Sequence, residues 1–214
     1  MSPFPSPSWS LLTRLLLLSF VPVVAGAARL LWLAGWAGGG AVTPDNARFM
    51  ASPGPMAWHV VSASVFCVLG AFQFDSAIRL RYPRLHRISG RVVAPCGVLA
   101  ALTGLWMTTR SDIPAALQGS LLCGVRVLVG LAMMLAIALS IRAVLHGRIA
   151  AHKAWMIRAY ALGQGAGTQV LIMLPMSMIV GAPTFLLRDV LMASVWALNV
   201  IFAEWLIRRR LPSA

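Results

Sequence analysis

Six long apolar runs separated by short polar stretches organise the chain: Leu11–Trp36, Ala57–Ala77, Val92–Thr108, Leu121–Ile141, Ala159–Val180 and Val190–Ile207. A helix needs about 20 apolar residues to cross the hydrocarbon core of a bilayer. Lipid offers no partner to an unpaired backbone group, so runs of this kind predict helices. The pattern therefore predicts an all-α polytopic membrane bundle of about six transmembrane helices, with residues 1–214 forming a single integral membrane domain. The third run is the shortest and is expected to extend at its basic end. Pro22 and Pro175 fall inside spans, where proline favours a kink. Gly38–Met56, with Gly38-Gly39-Gly40, Pro44, Pro53 and Pro55, reads as an irregular loop. Residues 1–10, rich in serine and proline, read as a disordered tail. Within the first run, Leu15–Ala25 has the character of a signal-peptide core, and Ala25-Gly26-Ala27 that of a cleavage site. The apolar run continues to Trp36, however, which favours an uncleaved helix.

Composition agrees with this pattern. Of 214 residues, 59% are hydrophobic and only 11% charged, against about 25% charged in soluble domains. The formal net charge of +13 would suit a nucleic-acid partner, but the basic residues lie in short segments between apolar runs, and no soluble region is large enough to bind nucleic acid. Their distribution sets an orientation instead. Thirteen of the 18 Lys and Arg fall on one side, grouped at Arg14, Arg79–Arg91, Arg142–Arg158 and Arg208–Arg210; the other side has Arg29, Arg48, Arg110, Arg126 and Arg188. The positive-inside rule then puts both termini in the cytoplasm. In a bacterium the expected location is the inner membrane, with anionic lipids at the basic face. Tryptophan agrees: Trp9, Trp155 and Trp205 mark one interface, and Trp32, Trp36, Trp58 and Trp106 the other. Cys67, Cys96 and Cys123 each lie in an apolar run and read as small buried hydrophobes.

Candidate chemistry gathers at span ends. The histidines are His59, His86, His146 and His152, and imidazole both ligates metals and titrates near neutrality. His59, Ala63, Phe66, Gly70 and Gln73 share one helix face, either a cofactor-lined face or a packing seam with a polar group at each end. Arg87 and Arg91 stand one turn apart in a donor-rich hairpin, suited to phosphate, carboxylate or haem propionates as well as to setting topology. The fifth run is the most unusual. His152, Trp155 and Arg158 recur every three residues, followed by Gln164, Thr168 and Gln169 among Gly163, Gly165 and Gly167. A polar, glycine-rich helix should face the bundle interior, and Gly163 and Gly167 suit close packing. No carboxylate lies clearly at mid-membrane, and no phosphate loop, nucleophile elbow or zinc-protease motif is present.

Taken together, Arg48-Phe49, Ala51-Ser52-Pro53, His59, Gly70-Ala71-Phe72-Gln73-Phe74, Leu85-His86-Arg87, Gly90-Arg91, His152 and Trp155-Met156-Ile157-Arg158 resemble the bacterial predicted-membrane-protein family of unknown function DUF2306. The resemblance runs from the first helix to the fifth. It implies a multi-pass membrane protein and brings no established activity. A weaker likeness is to transmembrane cytochromes b, which hold haem between helices on paired histidines. That likeness implies pairing of His86 with His152, whereas His59 has no second histidine on its own side.

Three roles follow as expectations. The first is a haem b- or quinone-linked membrane redox protein using His86 and His152, with His59, Arg87, Arg91, Trp155 and Arg158 as further cofactor-binding candidates. The second is a small transporter with a site between the second and fifth helices. The third is a structural or assembly subunit whose basic loops dock a protein partner, or which forms a homo-oligomer.

Overall fold

The computed structural model describes residues 8–36 and 41–210, so most of the serine- and proline-rich tail and the Gly38-Gly39-Gly40 run lie outside the described residues. Among the described residues there are nine helices and no strand: α1 Trp9–Leu33, α2 Ala47–Ala51, α3 Pro53–Gln73, α4 Ser76–Arg81, α5 Pro83–Arg110, α6 Ser120–Leu145, α7 Ile149–Gly163, α8 Gly165–Ile179 and α9 Phe185–Arg210. Five of them, α1, α3, α5, α6 and α9, are long and apolar enough to cross a membrane.

Local chemistry sets the boundaries. Pro53 and Pro83 open α3 and α5, where the missing N–H costs nothing. Asp75 caps α4 by accepting a 2.8 Å bond from the Ile78 N–H. After α6, Gly147 at φ +70° turns the chain toward α7, a conformation that residues with a Cβ rarely adopt. Prolines inside α1, α5 and α8 do not end those helices.

Three sequence expectations change. The third span reaches from 83 to 110 rather than 92 to 108, extending at both ends. The stretch expected to be a loop up to Met56 contains α2, and α3 already begins at Pro53. The fifth span divides at Gln164 (φ −77°, ψ 4°) into two helices of 15 residues each, α7 and α8. The division is a bend in a nearly continuous ladder, because the Gln164 N–H still reaches the Tyr160 carbonyl and the Thr168 N–H the Gln164 carbonyl.

Helices α3, α5, α6 and α7 form a ring in which each packs on the next, so that α5 and α7 stand on one diagonal with marginal mutual contact. α1 packs on α3 and α8, and α9 on α6, α7 and α8. The interior is built from small residues around a few large ones. Phe66, Ile137 and Val93 are fully buried beside Ala71, Ala101, Ala136 and Ala159, whereas Leu17, Leu128, Leu135, Leu171 and Ile201 face outward. Large apolar side chains outside and small ones at the seams is the arrangement that lipid permits and water does not. We call the end that carries α4, the start of α5 and the start of α7 the basic end.

Candidate functional site

At the basic end, α5 and α7 each contribute a histidine to the diagonal of the ring. His152, in the first turn of α7, is held by Ser140 of α6. Its Nδ1 lies 2.8 Å from Ser140 Oγ and 3.2 Å from the Ser140 carbonyl, while Ser140 Oγ donates to the His152 carbonyl at 3.2 Å. The consistent assignment has Nδ1–H donating, which leaves the lone pair on Nε2. This is how protein metal ligands are usually held, with the far nitrogen fixed by a carbonyl or hydroxyl. His86, in the first turn of α5, lies within electrostatic reach of both His152 and Arg79. Its Nδ1 is buried without a hydrogen-bond partner. A buried nitrogen without a partner costs on the order of 1–3 kcal/mol. The pair so formed has one ring locked in place and one with an unmet hydrogen-bonding demand.

The other candidate residues separate into groups. Trp155 and Arg158 lie on α7 beyond His152. The Arg158 guanidinium sits 4.5 Å from the Trp155 ring centroid and makes a bidentate pair with Glu204 of α9, at 2.6 and 2.9 Å. Arg158 therefore ties α7 to α9 and is committed. Arg87 and Arg91 stay exposed on α5, with no hydrogen bond or ion pair to another described residue. Arg79 of α4 reaches the histidine pair instead.

His59 belongs to a different place. It lies toward the far end of α3, about 21 Å along the helix from Gln73. Its Nδ1 contacts the Ala100 carbonyl at 2.9 Å and Thr103 Oγ1 at 3.2 Å. At the other end of the same stripe, Gln73 Nε2 donates to Ser89 Oγ at 2.6 Å. Both polar ends of the stripe are thus bonded to α5, with Phe66 buried between them. The stripe packs along α5.

The glycine-rich segment faces inward as its polarity predicted. Gln164 and Gln169 are buried. Gln164 Nε2 donates to Ser19 Oγ of α1 at 2.9 Å and to Tyr160 Oη at 2.7 Å, and Tyr160 Oη donates to the Cys67 carbonyl of α3 at 2.8 Å. Ser140, Tyr160, Ser19 and Glu204 bond to candidate residues and were not themselves candidates in the sequence. Only Glu204 carried a usable signal: it is one of five acids in the chain and a natural partner for a buried-end arginine.

No group of three or more metal-ligating side chains occurs among the described residues. No curated protein and no solved structure matches the chain, so the likeness to transmembrane cytochromes b rests on the residues alone. The model of the predicted membrane protein family DUF2306 matches residues 56–207, well over half of the chain and both halves of the histidine pair. The chain is a multi-pass helical membrane protein and belongs to the DUF2306 family.

Proposed function

We propose that this protein is a membrane redox protein that would bind a b-type haem, held by His86 of α5 and His152 of α7. The observation that carries the reading is the pair itself. Two histidines from diagonally opposed helices lie within electrostatic reach of one another; Ser140 holds one ring, and the Nδ1 of the other is buried without a hydrogen-bond partner. When bound, haem would supply one-electron chemistry. The chain's own part is to hold the imidazoles and to keep the Arg79 guanidinium within electrostatic reach of His86.

The same reading takes α7 and α8 together as a sixth crossing and puts both termini, with the basic end, in the cytoplasm of a bacterial inner membrane. The Phe185 N–H bonded to the Ala116 carbonyl, and Arg188 Nε bonded to the Leu117 carbonyl, support the crossing. These bonds bring the chain after α8 to the loop between α5 and α6, away from the basic end.

The test is an absorption spectrum of detergent-purified protein made with ample haem, oxidised and then dithionite-reduced. A Soret band with sharp reduced bands is expected, lost in His86→Ala and His152→Ala and kept in His59→Ala. A featureless spectrum sinks the proposal. One observation favours transport as a second reading: α7 and α8 bend at a buried glutamine inside the bundle, and interrupted helices line substrate sites in many transporters. Flux in vesicles that is lost in Gln164→Ala, from protein without bound haem, would select it.

A further inference from the structure

The end of the bundle opposite the histidine pair carries few positive charges, yet most of them converge. Arg48 of α2 is within electrostatic reach of Arg29 of α1 and Arg188 of α9, and Arg126 of α6 is within reach of Arg188 and Arg48. Four segments distant in sequence therefore send guanidinium groups to one region. Arg48, Arg126 and Arg188 are each half-buried. Like charges held together near hydrocarbon repel and lose hydration, so they need an opposing charge.

The chain supplies too little of it. Asp189 is buried beside the cluster and acts on Arg126 through space, while its Oδ1 accepts from the Gly119 N–H at 3.1 Å and its Oδ2 from the Leu122 N–H at 3.0 Å. It caps the start of α6. Asp45 acts on Arg48 only through space. None of the four arginines forms an ion pair among the described residues. Arg126 is bonded to the neutral Gln118 side chain, and Arg188 Nε to the Leu117 carbonyl. Arg48 lies over the Phe49 ring at 4.5 Å, and its Nη1 is buried without a hydrogen-bond partner. Burial and the neighbouring arginines pull the Arg48 pKa below its ordinary value, against the opposing pull of Asp45.

A cleft of about 300 Å³ opens beside this cluster. It is lined by Arg188 of the cluster and by apolar side chains, Val21 of α1 and Val170, Met173 and Leu174 of α8. Guanidinium forks match the geometry of phosphate oxygens bidentately.

We infer that Arg48, Arg126 and Arg188 form a binding site for a phosphate group, with the α1–α8 cleft receiving the apolar chain when that phosphate belongs to a lipid. The site is independent of the histidine pair and stands at the other end of the molecule.

The full-length protein in detergent is exchanged into mixed micelles of phosphatidylglycerol and phosphatidylcholine, and bound lipid is read by native mass spectrometry. In parallel, its melting temperature is followed in inorganic phosphate and in chloride at equal ionic strength. Preferential retention of phosphatidylglycerol, reduced about tenfold or more in Arg48→Gln and Arg188→Gln, supports the site and identifies a lipid as its source. A phosphate-specific rise in melting temperature without lipid retention, absent in the same variants, supports the site with free phosphate as its source. Arg110→Gln, an arginine outside the cluster, is expected to change neither result. Neither preference in the wild-type protein, or equal loss in Arg110→Gln, overturns the inference. Arg48→Lys and Arg188→Lys keep the charge and guard against misfolding; they are expected to weaken binding less than the glutamine variants.

Discussion

At the scale of single residues, the bundle is organised by places where a side chain has no room. Along the α7–α8 segment, a Cβ on Gly163 would sit 2.5 Å from Phe66, one on Gly165 would sit 2.1 Å from the Trp196 indole nitrogen, and one on Gly167 would sit 2.2 Å from the Leu18 carbonyl oxygen. Three successive odd positions thus meet α3, α9 and α1. The obstacle differs in kind. Phe66 and Trp196 are side chains, but the Leu18 carbonyl is backbone and cannot rotate away. Gly167→Ala should therefore be the costly change, at about 1–3 kcal/mol from overpacking. It should lower the melting temperature in detergent. Gly124→Ala in α6 is the contrast: its Cβ meets nothing within 4 Å, so the gain in helix propensity, about 0.5–1 kcal/mol, should appear as an unchanged or raised melting temperature. A second residue-scale prediction concerns Arg158 and Glu204, whose side chains are 28% and 32% exposed. Partial solvent screening holds the coupling of such a pair to about 1 kcal/mol or less. A double-mutant cycle with Arg158→Gln and Glu204→Gln reads that coupling directly, and a value of several kcal/mol would mean that the pair is sealed from water in the membrane.

At the scale of elements, the bend at Gln164 decides how α7 and α8 meet the rest. The glutamine joins Ser19 and Tyr160, but each of those hydroxyls also donates to a carbonyl, Ser19 to Leu15 and Tyr160 to Cys67. Removing the amide strands neither of them. Gln164→Leu is therefore expected to cost about 1 kcal/mol, the usual value of an interhelical bond in a membrane, and less than Gly167→Ala. Melting curves of the two variants give the order, and the reverse order would make the amide, rather than the glycine contacts, the device that sets the bend. The elements themselves were largely legible, because an apolar run of about 20 residues has one stable solution in lipid. The inward face of the fifth run was legible too, from its glutamines and glycines. The break at Gln164 was not: no proline marks it, and the neighbours that press on Gly163, Gly165 and Gly167 lie on α3, α9 and α1, far away in sequence. Helix α4 was hidden by its shortness, and α2 by the prolines and glycines around it. For the site, the sequence could name His86 and His152 but not their partners. Ser140 lies 12 residues from His152 and on another helix, and nothing in its local pattern marks it. Arg87 and Arg91 looked stronger than Arg79 because their spacing is regular, yet exposure on α5 separates them from the pair.

At the scale of the whole molecule, the two ends are chemically unlike, and that asymmetry is testable as topology. The basic end has the histidine pair and most of the cations; the other has the converging arginines and the cleft. If α7 and α8 cross together, Thr184 and Trp36 share a side, and Leu145 lies on the opposite one. Each of these three positions is exposed, so each can report without disturbing the core. Cys67, Cys96 and Cys123 are free thiols on the spanning helices α3, α5 and α6 and can be replaced by alanine to give a silent background. In that background, Trp36→Cys and Thr184→Cys should react with a membrane-impermeant maleimide on intact cells, and Leu145→Cys only after permeabilisation. Labelling of Leu145→Cys alone in intact cells would invert the orientation and keep the six crossings. Labelling of Thr184→Cys together with Leu145→Cys, on either side, would deny the crossing of α7 and α8. In the proposed topology thirteen cations lie on one side and five on the other, a distribution that would favour a cytoplasmic basic end. The minority five include the four that cluster, and the cluster is the feature that the charge rule alone does not explain.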